Sequence, residues 1–297
     1  MQVVTARRGT LISKSGFKNY DICLNPYVGC QFGCTYCYVR FFIKDKDNDW
    51  GEFVRTRDHI RDKLVKELPK YDGMRLVFGT MTDPYQPQER KSRLTSAALE
   101  IILKHGKLNK VGIFTRSPFV LDDIDLIKQL PRARVHFTIT PFPRSVLTKL
   151  EPVPILTERR FKAVRELKEA GIRVHVNVSP ILPVWSESFA AEFTGRLAEI
   201  GVDEYFVDPM QPYKESFDAV FGAVDDEEGC AEVRSILDDK PSYNEWKTRQ
   251  SRVWVKEWQK RDNGSTLAIW CDHERKVWVN MRTGEQMDER CYGDDAL

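Results

Sequence analysis

The sequence predicts an α/β fold: an open, partial (β/α)6 barrel followed by a C-terminal extension made of a Trp-rich helix and a β-hairpin. Three observations predict it. Short apolar runs alternate with helical patterns over about two-thirds of the 297 residues; three cysteines crowd the loop after the first run; and five of the seven tryptophans fall after residue 245. Strict strand–helix alternation implies a parallel sheet with right-handed crossovers. Six such units are too few for a closed eight-fold barrel, and in barrels the chemistry gathers at the C-terminal ends of the strands.

Residues 21–27 read as the first strand, leading into the cysteine loop. RLVFG at 75–79 is the second, followed by a helix over 92–105. KVGIFT at 110–115 is the third, with a helical segment over 121–130. RVHFTIT at 134–140 is the fourth, and the long helix 158–170 ends at Gly171, where a C-cap glycine belongs. RVHVNV at 173–178 is the fifth, closed by Pro180 and Pro183; a helix over 187–200 and a strand at 204–207 complete the series. After residue 209 the character changes. An acidic stretch (Asp225, Asp226, Glu227, Glu228) precedes an amphipathic helix over 242–261 and a hairpin of 266–271 and 276–281. The expected division is a barrel core over 1–209 and a cap or substrate-recruiting extension over 210–297.

The hydrophobic fraction of 41% supports a real core, and no stretch approaches the roughly 18 uninterrupted apolar residues of a membrane span. The N-terminus, MQVVTARRGT, carries no apolar signal region. A cytoplasmic protein with no membrane partner is the expectation. A net charge of +2 does not argue for nucleic acid, but its distribution bears on the question. Arg7, Arg8, Lys14 and Lys18 precede the cysteines. In the tail helix, Lys247, Arg249, Arg252, Lys256, Lys260 and Arg261 are interleaved with Trp246, Trp254 and Trp258. Cations for phosphate and flat rings for an unstacked base are what nucleic-acid binding uses. Tryptophans at helical spacing also suit a core.

Asn25–Tyr38, NPYVGCQFGCTYCY, carries the chemistry. Its C-x3-C-x2-C spacing puts the thiolates of Cys30, Cys34 and Cys37 on one loop, enough for three irons of a 4Fe–4S cubane. The fourth iron is left open to chelate the amino and carboxylate groups of S-adenosylmethionine. Gly29 and Gly33 let the backbone curl where a Cβ would crowd the sulfides. Tyr36 would shield the cluster and touch the adenine. The competing reading is a structural zinc site, which normally wants four closed ligands; Cys23, on the preceding strand, is the available fourth.

This run, with GTMTDPYQPQER at 79–90, TRS at 115–117, LEPVP at 150–154 and AGIRVHVNVSPILP at 170–183, resembles the spore photoproduct lyase-like branch of the radical S-adenosylmethionine (radical SAM) superfamily. The likeness covers about residues 20–208 and lapses in the tail. It implies a partial (β/α)6 barrel of the radical SAM type, a 5′-deoxyadenosyl radical, and an electron donor such as flavodoxin or ferredoxin. The branch includes repair enzymes for thymine-derived lesions, so DNA or a nucleotide-derived substrate is the implied partner. By position, Thr80, Thr82 and Asp83 would face S-adenosylmethionine. Arg116 would pair with its carboxylate, although the family more often carries lysine there, and Ser179 would supply a hydroxyl. His136 and His175 read as satisfied core residues.

One departure matters more than the matches. Spore photoproduct lyase has a hydrogen-donating cysteine at the place where Thr80 falls, and a threonine O–H bond is far too strong to quench a carbon radical. Hydrogen must then return from 5′-deoxyadenosine or come from another residue: Cys271 and Cys23 are the available thiols, Tyr85 and Tyr38 weaker candidates. The favoured function is hydrogen abstraction from a thymine-derived base or base substituent in DNA, giving modification or radical rearrangement (isomerisation). The alternatives are lesion repair, radical chemistry on a small metabolite or peptide, and a non-catalytic zinc-binding module.

Overall fold

A computed structural model describes the chain except residues 1, 6–9, 44–47, 183–185, 212, 225–226, 263, 265–266, 276 and 288–297, and except the side chains of 186–188 and 227–229. Arg7, Arg8, Pro183, Asp225, Asp226 and the first residue of each expected hairpin strand, Thr266 and Lys276, lie outside the described residues. So do the side chains of Glu227 and Glu228.

The first strands are β1 (Gln2–Thr5), β2 (Ile12–Lys14), β3 (Ile22–Leu24), β4 (Tyr27–Val28) and β5 (Phe53–Thr56). Helix α1 (Ile60–Glu67) leads to β6 (Arg75–Phe78), α2 (Glu89–Ser92) and α3 (Leu94–His105). Then come β7 (Lys110–Thr115), α4 (Ile124–Ile127), β8 (Arg134–Thr138), α5 (Arg144–Leu150) and α6 (Thr157–Glu169). β9 (Arg173–Ile181), α7 (Ser186–Ile200) and β10 (Glu204–Pro209) follow. The tail holds α8 (Lys214–Ala223), α9 (Glu227–Ile236), α10 (Lys240–Gln259), β11 (Leu267–Asp272), β12 (Val277–Asn280) and β13 (Gln286–Met287).

The chain forms two compact units. One comprises residues 1–33, 39–137 and 165–174, the other 34–38, 138–164 and 175–297. In the first, β3, β6, β7 and β8 pair in parallel, with β2 antiparallel on β3, and a separate small sheet runs β1-β5-β4. Leu76, Val77, Phe78, Val111, Val135 and Phe137 are fully buried, as continuous apolar runs must be in a parallel sheet covered on both faces. Gly112 is obligatory for packing: a Cβ there would meet the Tyr20 hydroxyl at 2.2 Å. That hydroxyl is hydrogen-bonded to His136 Nε2 at 2.7 Å, so His136 is the satisfied core residue expected of it. The helix expected over 121–130 is a 3-10 turn at Pro118–Asp123 followed by the short α4.

In the second unit β9, β10 and β11 are parallel, and β12 and β13 return antiparallel. The expected boundary near 210 therefore falls inside a packed unit. β11 is a further parallel strand beside β10, and α8, α9 and α10 form the crossover that reaches it. Trp254 stands over Phe193 (6.0 Å) and Tyr205 (6.5 Å), and Trp258 over Tyr205 (5.4 Å). Trp246 stacks on Tyr243 at 5.4 Å. All three indoles are at most 1% exposed, so the nucleic-acid platform suggested by their spacing is corrected to core. Three of the six cations named with them are ion-paired: Arg249 with Glu232, and Lys260 and Arg261 with Glu257. His175 Nδ1 meets the Glu204 carboxylate at 3.0 Å, both buried, and needs no catalytic role.

Candidate cofactor site

Backbone amides must find partners when buried, and the cysteine loop finds its own in the segment 79–90. Gln86, fully buried, accepts from the Gln31 amide at 2.8 Å and donates to Thr82 Oγ1 at 3.0 Å. Thr82 donates to the Gly29 carbonyl at 2.6 Å. Asn25 donates to Thr80 Oγ1 (3.1 Å) and accepts from the Met81 amide (2.9 Å), and Gln31 accepts from the Gln88 amide. Gly29 (φ +84°) and Gly33 (φ +58°) turn the loop through conformations that favour glycine. The crowding at Gly29 comes from Phe53, whose carbonyl oxygen a Cβ would meet at 2.4 Å.

Asp83 has an internal occupation. Its carboxylate accepts from the Tyr85 amide (2.8 Å), Thr115 Oγ1 (2.7 Å) and the Arg116 amide (2.9 Å), fastening the turn after β6 to the end of β7. Burial raises its pKa, against these donors. The Arg116 guanidinium lies 5.8 Å from the Phe32 ring, on the loop between Cys30 and Cys34. Tyr85 donates to Asp123 at 3.0 Å, and Asp123 also accepts from Ser96 and Arg93. Burial holds the Tyr85 hydroxyl well above its usual pKa, and its hydrogen bond to Asp123 gives it a framework role. Glu89 takes Tyr27 and the Thr95 and Ser96 amides.

The second half of the cysteine loop, residues 34–38, belongs to the second unit. There the Thr35 amide donates to the Leu150 carbonyl at 3.0 Å, and the Tyr36 hydroxyl to Glu151 at 2.6 Å. Glu151 is paired with Arg160, both side chains fully buried, and Thr140 bridges them. LEPVP is therefore the loop's anchor in this unit. The Tyr36 ring meets Phe142 edge-on at 5.7 Å. Ser179 lies half-buried near the end of β9.

Cys30 and Cys34 are buried and Cys37 is half-buried, none of them in a disulfide. Among the described residues no three His, Cys, Asp or Glu side chains are grouped around a single metal ion. A cubane differs from such an ion in taking each thiolate on a separate iron. An all-sulfur donor set on a tightly turned, amide-tethered loop fits that group.

A family model for the radical SAM superfamily matches residues 24–193. The chain belongs to the radical SAM superfamily. Its cofactors are accordingly a 4Fe–4S cluster and S-adenosylmethionine, which sets aside the zinc module. The chain is 34% identical over 161 residues to the uncharacterized protein MJ0683 of Methanocaldococcus jannaschii, covering 54% of this chain and 60% of that one. It is 29% identical over 200 residues to the uncharacterized protein ORF301 of Acidianus two-tailed virus, covering 62% and 65%. The chain thus spans less than two-thirds of these relatives. Among solved structures it is similar to a double mutant of spore photoproduct lyase with bound AdoMet and dinucleoside spore photoproduct. There the TM-score is 0.65 with 15% identity, covering 89% of this chain and 80% of the other. That likeness carries the fold, the α/β partial barrel expected from the alternating elements.

The thiols lie in different settings. Cys23, on β3, is 3.2 Å from Ser13 Oγ, packs with Tyr20 and Val77, and stands 4.0 Å from the Asn25 amide that holds Thr80. Cys271, on β11, is half-buried, and burial with the Asp208 carboxylate pushes its pKa up to about 12. Tyr38 is 39% exposed. Around Cys271 stand four residues that sequence reasoning passed over as site members: Asp208, Gln211, Lys247 and His273. The missed signal was Lys247, a cation at a helix position whose neighbours Tyr243 and Trp246 are core; its side chain is 4% exposed.

Proposed function

We propose that the chain abstracts hydrogen from a thymine-derived base or base substituent in DNA, giving a modified or rearranged base. When bound, the reduced cluster supplies the electron that cleaves S-adenosylmethionine and leaves a carbon-centred radical. Cys30, Cys34 and Cys37 would hold it, and Thr82, Gln86, Asn25 and Gln31 keep their loop in register. Arg116, above Phe32, is the charged group toward the cofactor carboxylate; in the second unit Tyr36 and Ser179 are the cofactor-contact candidates. Thr80 contributes a hydroxyl, and Asp83 acts by positioning Arg116 through its amide.

The observation that carries the substrate class is the fold likeness to a protein that binds a dinucleoside lesion. Thr80 favours rearrangement over repair, because a hydroxyl cannot quench the product radical. Cys271 and Cys23 are the thiol candidates; burial with the Asp208 carboxylate pushes the Cys271 thiol up to about 12, so it stays protonated at neutral pH, as hydrogen-atom donation needs. An anaerobic assay with thymine deuterated at its methyl group, within an oligonucleotide, tests the proposal. Label should enter 5′-deoxyadenosine or recovered S-adenosylmethionine, with 5′-deoxyadenosine far below product. One-to-one formation of 5′-deoxyadenosine and product would refute hydrogen return, and absence of label would refute the substrate.

A further inference from the structure

Parallel strands end together, and the C-terminal ends of β10 and β11 in the second unit carry a polar cluster the cofactor chemistry does not use. Val207 pairs with Trp270, so Asp208 stands beside Cys271, and Cys271 is itself paired with Trp278 on β12. Three side chains thus form one row across three strands. One strand period earlier Phe206 projects on the same face, and its ring centroid is 5.0 Å from that of Trp278. Lys247 comes to this row from α10 and donates to Gln211 Oε1 at 3.3 Å. Gln211 in turn reaches Asp208 only at 3.4 and 3.5 Å. His273 Nε2 is buried without a hydrogen bond among the described residues, 4.0 Å from Asp208 Oδ1.

The hydrogen-bonding capacity of this group is largely unspent. Among the described residues the Lys247 ammonium uses one of three N–H donors, and the Asp208 carboxylate accepts only long contacts from Gln211. The His273 Nε2 is buried without a hydrogen bond among the described residues, so a complementary ligand edge is favoured beside it. Charge narrows the ligand. A phosphate or carboxylate would meet Asp208, a cation would meet Lys247, and the pair cancels to zero net charge. What suits it is a neutral planar group with an N–H flanked by carbonyl oxygens, lying against aromatic rings.

We propose that Asp208, Lys247 and His273 read the imide edge of a pyrimidine base of the thymine or uracil type, with Phe206 and Trp278 as the wall on which its face rests. Asp208 accepts from the base N3–H, while Lys247 donates to a flanking carbonyl; His273 closes the far side. The base then lies next to the Cys271 thiol. This inference rests on the nucleobase substrate proposed above and names the groups that choose the base. Asp208, raised to about 6 by burial against the opposing pull of Lys247, is predominantly ionised at neutral pH, as an acceptor must be.

The test uses the full chain with its cluster, a fluorescent ten-residue oligothymidylate, and the same oligomer carrying N3-methylthymine, in which the donor is blocked. Wild type should bind the unmodified oligomer about tenfold tighter, the loss of roughly one charge-assisted hydrogen bond. Asp208→Asn and Lys247→Met should each erase the difference while leaving salt-dependent backbone binding in place. Equal binding of the two oligomers by wild type would overturn the imide-edge site alone, and needs no variant to fold. Variants that melt normally and still discriminate would overturn the assignment of these residues. Failure of wild type to bind either oligomer would overturn the nucleic-acid substrate as well.

Discussion

Arg160 and Glu151 offer the sharpest test of how the loop is held. Both side chains are fully buried and ion-paired, and Glu151 also accepts from the Tyr36 hydroxyl and Thr140. Replacing Arg160 with Met leaves a carboxylate in apolar surroundings with two neutral donors. Breaking one partner of a buried pair costs about 3–5 kcal/mol, whereas replacing both with apolar groups of like volume is often close to neutral. Urea unfolding of Arg160→Met should therefore show a loss in that range, and the Arg160→Met/Glu151→Leu double variant should recover a good part of it. Tyr36 loses its acceptor in the double variant, so stability and cofactor loading should separate: the fold recovers, but iron content stays reduced. A single variant as stable as the parent would refute the reasoning. So would a double variant that regains full iron content, since Glu151 would then not anchor the loop through Tyr36.

Alanine at Cys30, Cys34 or Cys37 should abolish reconstitution to about four irons per chain; Cys230→Ala, at a buried core position, should retain it, as iron and sulfide analysis will show. Gly29→Ala should lower iron content and melting temperature together, because its Cβ meets Phe53 and its φ is left-handed. Asp83→Ala leaves two amides and a hydroxyl without their acceptor, so it should cost about 2–4 kcal/mol in denaturation and weaken S-adenosylmethionine binding through Arg116. Asp208, raised to about 6, binds its proton more tightly folded than unfolded, so its contribution to stability falls as pH rises from about 4 to about 6, by about 3 kcal/mol. His273, pushed down to about 3, acts with the opposite slope, so the check is the difference between parent and Asp208→Asn melting profiles over that window.

Much of the barrel was legible because parallel strands buried on both faces announce themselves as apolar runs. KVGIFT is β7 to the residue, and RVHVNV opens β9. The tail was harder for the same physical reason in reverse. β11 is a parallel strand like the others, but the acidic stretch and three helices separate it from β10, and its hairpin partner β12 is the nearer signal. The tryptophans of α10 could serve a core or a nucleic-acid face by spacing alone; only their contacts with Tyr205, Phe193 and Tyr243 decide it.

The site residues show a second limit. Thr82 and Asp83 follow β6 in sequence, which is where cofactor ligands stand in barrels, yet much of their hydrogen bonding goes inward, to Gly29, Tyr85, Thr115 and the Arg116 amide. Backbone donors and acceptors cannot be seen in a sequence, so a carboxylate that satisfies amides reads the same as one that awaits a ligand. Seen through those bonds, the resemblance segments divide by task. NPYVGC, GTMTDPYQPQER and TRS form one hydrogen-bonded body around Cys30, while LEPVP binds Thr35 and Tyr36 between Cys34 and Cys37. A loop held by two independent sets of bonds has two independent ways to fail. Substitutions in either set should therefore reduce iron loading, and pairs drawn one from each set should reduce it additively, as sites without shared partners do.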